Sequence, residues 1–437
     1  MQNENIFICD NIGVSGEHLT FAGQDTVALA KKYGTPLYLM DEDRIRAVCR
    51  EYLTAVKAAF GDKGKVMYAS KASSFKRIYE IMREEGMNID VVSCGEIYTA
   101  YSAGYPLENA YFHSNNKTDE DVAFAIEKGV GYFVVDNEEE LYAINTEAGR
   151  RGMVQPLLLR ITPGIDPHTF EAVATGKVDS KFGSAIETGQ ADEMVKTALS
   201  LENIKLAGFH CHVGSQVFDA DVFLRSADVM LEFIRDMRDK YGIVAEQLDL
   251  GGGFGVRYLA SDPVLDLPAV IAEIGDAVKN KVAELGIAMP IIGFEPGRSI
   301  VADAGMTLYS VGTVKRIPEF INYISVDGGM TDNIRYALYG ASYTLTLANK
   351  VCEDHNMLCS VVGRCCESGD IIQENVHMPD SVTRGDILAC MTTGAYHYSM
   401  ASNYNRIGRP PIVMLRDGTS YLAVRRETLE NIISLDV

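Results

Sequence analysis

Eight apolar segments alternate with amphipathic helical patterns between residues 65 and 294, and no other feature of the chain constrains its fold as strongly. The segments have the length and residue types of buried strands, and they cover 65–69, 88–92, 110–113, 132–135, 156–161, 205–209, 246–250 and 291–294. The helical patterns lie near 74–85, 95–103, 118–128, 138–150, 186–199, 219–240 and 268–286. Since parallel strands are joined by crossover helices, this order predicts a parallel sheet covered by helices. Eight such units over roughly 250 residues favour a closed (β/α)8 barrel, with an open doubly wound sheet as the alternative.

The pattern changes after about residue 300, where short alternating segments predict a second, all-β domain, either a sandwich or a small barrel. These segments lie near 306–316, 321–326, 342–350, 357–363, 386–391, 411–416 and 420–425. The first residues carry weaker patterns, with possible edge strands at Ile6–Cys9 and Gly13–Val14 and a helix near 25–33. The predicted domains are therefore a barrel over 37–299 and a β domain formed by 300–437 together with 1–36.

Composition narrows the class of partner. The chain has 437 residues, with 60 acidic and 40 basic side chains and a formal charge of −20. This charge argues against nucleic acid and anionic membranes, because phosphate binding needs a basic face. No segment approaches the ~20 apolar residues of a membrane span, and the first residues lack a signal-peptide pattern. Nine scattered cysteines fit free thiols in a reducing compartment. We therefore expect a cytoplasmic protein that acts on a small molecule.

Polar residues and glycines follow the predicted strands, at the end where barrel active sites are built. In chain order they are Lys71, Ser93 and Glu96, His113 and Asn115–Asn116, Asp136, Arg160, His210 and His212, Gly251–Gly253, and Glu295–Arg298. Random placement would scatter such residues over both ends of the strands. The sequence therefore predicts an active site at the C-terminal end of the barrel.

Lys71 follows the apolar run Val66–Ala69 and lies at a strand's C-terminal edge. A lysine held there near apolar walls loses the stabilisation of its ammonium, which leaves a free amine as a nucleophile toward a carbonyl. The alternative is a surface lysine at the start of a helix.

A phosphate site is predicted near the seventh and eighth strand ends. The run Gly251-Gly252-Gly253-Phe254-Gly255 exposes backbone N–H groups and lacks Cβ atoms, although a tight turn would use the same residues. Ser215 adds a hydroxyl and Arg298 a cation from neighbouring strand ends. Three kinds of donor at one edge favour a bound phosphate.

His210 and His212 lie one residue apart on a strand and could hold a metal, if further ligands came from adjacent strand ends. We expect His113 and Asp136 to lie across the barrel, so we predict no metal and assign an imidazole to stacking on a planar cofactor. Glu295 could pair with Arg298, or it could keep a pyridine nitrogen protonated. An amine, a phosphate cradle, a stacking ring and a carboxylate together indicate pyridoxal 5'-phosphate.

The chain resembles the fold-type III pyridoxal-phosphate decarboxylases over nearly its whole length. The motifs that carry the resemblance are Tyr68–Ala72, Val91–Glu96, His212–Ser215, Gly251–Gly255, Glu295–Arg298, Asp332–Arg335 with Ala337–Gly340, Cys366–Asp370, and Gly394–Tyr396 with Met400–Asn405. Each motif is modest alone, but their number, order and spacing agree.

The resemblance implies a role for each candidate residue. Lys71 forms the imine with the cofactor, His212 stacks on its ring, and Glu295 meets the pyridine nitrogen. The phosphate is surrounded by Ser215, Gly252, Gly253, Gly297, Arg298 and Tyr396. Cys366 is the acid near the substrate carbon and reaches in from a second subunit, which implies a head-to-tail homodimer with a shared active site. The substrate's distal groups meet Arg298, Arg335, Tyr339, Tyr396 and Glu367.

Within the family, the sequence resembles the branch that decarboxylates meso-2,6-diaminopimelate to L-lysine. Arg335 favours this branch because ornithine has no distal carboxylate to bind. The runs His168–Lys177 and Asp179–Gly183 also resemble it. Arg364-Cys365, His397 and Ser73 depart from the usual pattern, which leaves carboxynorspermidine, ornithine, arginine, D-lysine and carrier-bound glutamate as alternative substrates. A racemase would place an arginine at the pyridine nitrogen, and a non-catalytic homologue would lack the lysine or the cysteine.

Overall fold

The computed structural model describes residues 7–165 and 180–437. These residues divide into two compact units. The first unit consists of the described residues up to Ala47, of Val256–Val264 and of Ile300–Val437. The second unit consists of the described residues of Val48–Gly255 and of Leu265–Ser299. In the described part of the chain, no helix has both the length and the apolar character that a membrane span requires.

A small antiparallel sheet comes first among the described residues, with the strands β1 (Ile12–Ser15), β2 (His18–Phe21) and β3 (Gln24–Asp25). It is followed by α1 (Thr26–Tyr33), β4 (Leu37–Asp41) and α2 (Glu42–Phe60). The Asp25 carboxylate caps α1 by accepting from the first backbone N–H groups of that helix. The predicted edge strand at residues 6–9 is wrong for its described part, because Phe7–Cys9 enter a turn closed by Ile12 N–H to Cys9 O and pair with no strand. Ile6 lies outside the described residues.

The eight predicted strands form a closed parallel barrel, as predicted. They are β5 (Gly64–Ala69), β6 (Asn88–Val91), β7 (Ala110–Phe112), β8 (Tyr132–Val135), β9 (Gln155–Thr162), β11 (Ile204–His210), β12 (Gln247–Asp249) and β13 (Ile291–Phe294). The circle closes where β13 pairs with β5 in parallel, and β8 pairs with β9. A short strand, β10 (Ser184–Ala185), pairs with β9 beside the barrel.

The barrel helices also lie where the sequence predicted them. They are α3 (Lys76–Glu85), α4 (Cys94–Ser102), α5 (Asp119–Lys128), α6 (Glu138–Arg150), α7 (Gln190–Ser200), α8 (Ala220–Tyr241) and α9 (Leu267–Leu285), and a short unpredicted helix, α10 (Arg298–Val301), follows β13. Local capping explains their bounds. Thr118 and Asp121 form a capping box at the start of α5, and left-handed Gly129 ends that helix.

An apolar layer fills the barrel interior and a polar layer follows it along the strands. Met67, Tyr111, Val134, Leu158 and Ala207 from five strands form a buried cluster. Successive strand residues point to opposite sides, so the residue two positions further along each strand points inward again. These positions place His113 after Tyr111, Asp136 after Val134 and Arg160 after Leu158, which brings the polar strand ends together.

The second sheet belongs to the other unit. Its remaining elements are β14 (Gly305–Lys315), β15 (Asn322–Val326), α11 (Arg335–Tyr339), β16 (Leu345–Leu347), β17 (Met357–Val362), β18 (Ile371–Met378), β19 (Ile387–Met391), β20 (Ile412–Arg416), β21 (Thr419–Val424) and α12 (Leu429–Ile433). The strand order is β18-β17-β15-β14-β4-β20-β21, with β19 beside β14 and β16 beside β19. Each of the seven predicted segments contains a strand.

Several elements were not predicted or were assigned to the wrong unit, and β2, β3, α11 and α12 are among those that were not predicted. β4 pairs with β14 and β20, so it is not part of the barrel, although its residues lie inside the predicted barrel range. β18 was missed because three consecutive polar residues, Gln373–Asn375, interrupt its apolar pattern, and α2 was missed altogether. The domain boundaries at residues 37 and 300 stay a prediction.

Candidate active site

Glu295 follows β13 and is the centre of the polar layer. Its side chain is buried, with the residue 6% exposed. His210 Nε2 lies 3.1 Å from Glu295 Oε2 in a hydrogen bond. His113 Nε2 lies 2.7 Å from Glu295 Oε1, but this pair is not aligned as a hydrogen bond, and Oε1 has no hydrogen-bond donor among the described residues. One oxygen of the carboxylate is therefore held, and the other is a buried acceptor with unmet capacity.

Of the two neighbouring carboxyl groups in this layer, Glu295 and Asp249, Glu295 carries the negative charge. Burial alone would raise the pKa of Glu295, but the adjacent imidazoles of His113 and His210 outweigh it, so its pKa lies well below the usual range. Burial and the negative charge of Glu295 raise the pKa of Asp249 well above its usual range. Two carboxyl groups so close cannot both ionise at low cost. Asp249 is accordingly neutral and Glu295 ionised near neutral pH.

The prediction that His113 lies across the barrel from the other histidines was wrong. The rings of His113 and His210 lie 4.9 Å apart, edge to face. An eight-stranded barrel is narrow enough for inward side chains of non-adjacent strands to meet near its axis. His113, His210 and Glu295 consequently form a cluster of possible metal ligands.

The distances within this cluster are those of direct contacts between the imidazoles and the carboxylate. The imidazole nitrogens of His113 and His210 lie 2.7 and 3.1 Å from the Glu295 oxygens, which are hydrogen-bonding distances.

His212 lies just beyond β11 and is half-buried. Burial and then the positive charges of Lys71 and Arg160 lower its pKa well below the usual range. Gly252 donates its N–H to His212 Nδ1 at 3.3 Å, so this nitrogen is an acceptor and the ring is neutral. A Cβ on Gly251 would lie 2.8 Å from the same nitrogen, so a larger residue at position 251 would clash with the His212 ring. The structure thus holds a neutral imidazole beside the glycine run, as stacking on a cofactor requires.

The predicted phosphate donors of the barrel unit come together. Arg298 donates to Ser215 Oγ from Nη2 at 3.1 Å and from Nε at 3.3 Å. A Cβ on Gly252 would lie 2.0 Å from the carbonyl oxygen of Glu295, and one on Gly253 would lie 2.2 Å from that of Gly214. Only glycine permits such close backbone approach. Gly297 is similarly confined, since its Cβ would lie 2.8 Å from the Ala69 Cβ.

Lys71 lies in a one-turn 3₁₀ segment, Ser70–Ala72, that follows β5. Its side chain is exposed, whereas Ser70 and Ala72 on either side are buried. The expected shielding by apolar walls is therefore wrong. The Lys71 charge instead acts on two acidic neighbours, lowering the pKa of Asp90 and Glu96 against the larger, opposite effect of their burial.

In the other unit, Arg335 opens α11 and is 7% exposed. Its guanidinium carbon lies 5.2 Å from the ring centroids of both Tyr339 and Tyr396. Arg335 Nε donates to Tyr343 Oη at 3.0 Å. His397, one of the departures from the family pattern, packs edge to face on Tyr343. We name Arg335, Tyr339, Tyr343 and Tyr396 the arginine cluster.

Cys366 and Glu367 lie in the loop between β17 and β18, and both side chains are exposed. Asn405 Oδ1 accepts from the Cys366 N–H at 2.9 Å. Buried Asp370 accepts from the N–H groups of Cys365 and Met330, both at 2.6 Å. Asp370 therefore ties this loop to the turn before α11 within the same unit.

Sequence reasoning gave no role to several buried charged groups of the barrel. Asp90 and Asp249 are almost fully buried, and Lys117 Nζ lies 2.5 Å from Glu140 Oε1 inside the same unit. The available signal was a charged residue at an inward position of an apolar strand, as Asp90 is in Asn88-Ile89-Asp90-Val91. The branch-specific run His168–Lys177, with Asp179, lies outside the described residues.

The barrel residues fit pyridoxal phosphate on their own geometry. The open acceptor Glu295 Oε1 suits the N–H of a protonated pyridine ring, and neutral His212 suits a flat ring. The glycine run and the Ser215–Arg298 pair suit a phosphate. When bound, the group supplies an electron sink beside Lys71.

Comparison with known proteins gives one answer along the whole chain. A family model described as "Pyridoxal-dependent decarboxylase, pyridoxal binding domain" matches residues 43–302. Diaminopimelate decarboxylase of Bacillus subtilis (strain 168) is 45% identical over 420 residues, 96% of this chain and 95% of that protein. The Staphylococcus aureus (strain COL) protein of that name is 43% identical over 418 residues, 96% of this chain and 97% of its own length.

Solved structures agree. The M. jannaschii diaminopimelate decarboxylase in complex with L-lysine has a TM-score of 0.90 and 33% identity, covering 98% of each chain. A lysine/ornithine decarboxylase from Vibrio vulnificus, solved with putrescine, has a TM-score of 0.74 and 26% identity, covering 90% of this chain and 97% of its own. The chain therefore belongs to the diaminopimelate decarboxylase family of pyridoxal-phosphate-dependent decarboxylases.

Proposed function

We propose that this chain decarboxylates meso-2,6-diaminopimelate to L-lysine and carbon dioxide, a step of lysine biosynthesis. The observation that carries the proposal is the buried, ionised Glu295 with one oxygen open to a donor, in a chain similar over its full length to diaminopimelate decarboxylases. An anionic partner keeps a pyridine nitrogen protonated, which the loss of carbon dioxide needs and racemisation with an arginine partner does not.

The barrel residues divide the cofactor work among them. Lys71 would bind the cofactor aldehyde through its amine and yield that place to the substrate amine. His212 would cover one face of the ring, and Ser215, Gly252, Gly253, Gly297 and Arg298, with Tyr396, would hold the phosphate. Each of these groups binds or orients, and Glu295 holds a proton at the ring nitrogen.

Charged side chains would recognise the two charged groups at the distal end of the substrate. Arg298, Arg335, Tyr339 and Tyr396 suit the distal carboxylate, and Glu367 suits the distal ammonium. The guanidinium of Arg335 is almost fully buried between two aromatic rings, so it is oriented before a substrate arrives. A diamine precursor without a distal carboxylate would leave this buried cation without its partner, which is costly.

Cys366 would return a proton to the substrate carbon. Its side chain is exposed while its backbone is fixed through Asn405, which suits a residue offered to another molecule. We propose a homodimer in which a second copy of the chain supplies Cys366 to each site. A cytoplasmic location is part of the proposal, supported by nine cysteines of which none is paired in a disulfide.

The substrate is tested by carbon dioxide release from meso-diaminopimelate, ornithine, arginine, carboxynorspermidine and D-lysine. We expect kcat/KM for meso-diaminopimelate to exceed the others by at least about a hundredfold, since a lost charged contact is worth ~3 kcal/mol. A higher kcat/KM on any other compound would overturn the substrate assignment, and absence of release from all five would overturn decarboxylation of this class.

The shared site has its own test. Lys71→Ala and Cys366→Ala proteins are each expected to be inactive or nearly so, and they are mixed after dissociation. If each site takes its cysteine from the second chain, mixed dimers contain one intact site, and activity rises to about a quarter of wild type for random pairing. Absence of recovery in verified mixed dimers would contradict the shared site.

A further inference from the structure

We propose that His210 is a positioning residue, whose Nε2–H holds one oxygen of Glu295 so that the other faces the ring nitrogen of the cofactor. The inference rests on the proposed function, because it concerns the carboxylate assigned to that nitrogen. His210 does not touch the substrate in this scheme. It acts through Glu295.

Geometry defines which nitrogen carries the proton. His210 is 1% exposed, and its Nε2 lies 3.1 Å from Glu295 Oε2. An ionised carboxylate accepts only, so Nε2 must be the donor. His210 Nδ1 is buried and has no hydrogen-bond partner among the described residues. The ring therefore uses its single proton entirely on Glu295.

A neutral donor suits this task better than a cation would. Burial lowers the pKa of His210 to about 4, so the ring is uncharged near neutral pH. It can orient the carboxylate without cancelling the negative charge that would hold a proton on a pyridine ring. An arginine or lysine at the same place would compete for that charge.

Two other groups lie close to Glu295. His113 Nε2 lies 2.7 Å from Oε1 and lowers the pKa of Glu295, and the neutral Asp249 carboxyl keeps a proton beside the pair. Asp90 and Arg160 also face this layer, with their charges acting on it from β6 and β9. Oε2 thus has one aligned imidazole donor in the described chain, which leaves Oε1 as the oxygen available to a ligand.

The test uses two side chains of nearly equal shape. His210→Gln keeps an N–H donor at the distance of Nε2, and His210→Met fills the same volume without one. We expect His210→Met to weaken pyridoxal phosphate binding to the apoenzyme about tenfold, as one unmade bond to a buried charge implies, and to lower kcat more than it changes KM. The absorbance of the bound cofactor should shift as the ring loses its proton. His210→Gln should stay within about threefold of wild type.

His113→Gln and His113→Met are the matched controls, and they should resemble each other because this contact is not an aligned hydrogen bond. His210→Asn, whose amide is too short to reach Oε2, keeps a polar side chain and should behave as His210→Met if the methionine protein does not fold. Equal cofactor affinity and absorbance for the Gln and Met variants at position 210 would overturn the inference. A difference between the Gln and Met variants at position 113, without such a difference at position 210, would overturn it as well. Wild-type protein that binds no pyridoxal phosphate would instead overturn the proposed function.

Discussion

The polar layer of the barrel and the arginine cluster with its neighbouring cysteine loop are built on different principles. In the barrel, His210 and Glu295 are 1% and 6% exposed, and the adjacent imidazoles lower the pKa of Glu295 against the effect of its burial. In the other unit, Tyr339 is 41% exposed, and Cys366 and Glu367 are exposed as well. In the first region, His210 holds Glu295 Oε2, and Oε1 has no hydrogen-bond partner among the described residues. The second presents exposed side chains that another molecule can reach.

This difference separates two kinds of defect. A change in the barrel layer should alter how the cofactor is held, and therefore kcat and the cofactor spectrum. A change in the exposed groups should spare the cofactor and alter the substrate or the proton step. Four substitutions, taken from the largest expected effect to the smallest, sharpen or break this distinction.

Lys71→Ala removes the amine at the barrel mouth and should lower activity by at least about a thousandfold, as for other covalent catalysts. Borohydride treatment should then no longer fix cofactor mass to the protein, as read by mass spectrometry. Lys76→Ala, at an exposed lysine on α3, is the control and should keep both properties. Borohydride labelling that survives in Lys71→Ala would assign the amine elsewhere.

Cys366→Ala should lower kcat by about a hundredfold, because a positioned acid contributes ~10²–10⁴ to a proton transfer. Cofactor affinity should not change, since the residue is exposed on a loop of the other unit. Cys365→Ala tests the adjacent half-buried thiol and should have the smaller effect. Full turnover by Cys366→Ala would refute its role as the acid.

Arg335→Met should raise KM for meso-diaminopimelate about 10- to 100-fold while cofactor binding stays as it was. The lost guanidinium contacts Tyr343 and two aromatic rings, so the methionine keeps apolar volume but not charge. The preference over ornithine should fall by a similar factor. Arg425→Met, at an exposed arginine, is the control. A change confined to kcat would contradict the substrate role.

Glu96→Gln should produce the smallest effect, on stability rather than activity. Burial raises the pKa of Glu96 from 4.5 to about 7, against the opposing bond from the Val92 N–H. Between these pH values the folded protein keeps a proton that the unfolded chain releases, so stability falls as pH rises through this window. Glutamine keeps the acceptor oxygen and cannot ionise. The substitution should therefore raise the free energy of unfolding by on the order of 1–3 kcal/mol at pH 8.

The gain is measured as the thermal midpoint of Glu96→Gln minus that of wild type at pH 5 and at pH 8. Only the second difference should be clearly positive. Glu273→Gln, at an exposed glutamate, should give the same difference at both pH values. Equal differences for Glu96→Gln would show that the group does not titrate as described.

The sequence alone determined the order and type of the eight barrel strands and of the seven helices between them, and the end of the barrel that carries Lys71, His212 and Glu295. These features are local, because apolar periodicity, capping residues and the residue after each strand are all written within a few positions. The family motifs were local as well. Their spacing sufficed to name the cofactor and each candidate residue.

Only the tertiary structure decided which distant groups meet. Leu37–Asp41 is buried along its whole length and would fit either sheet, so its pairing with β14 and β20 is a long-range choice. The meeting of His113 with His210 at Glu295 depends on the width of the closed barrel. Which oxygen of Glu295 is held and which is open depends on the direction of one N–H bond. No pattern along a chain encodes that direction, because packing fixes it.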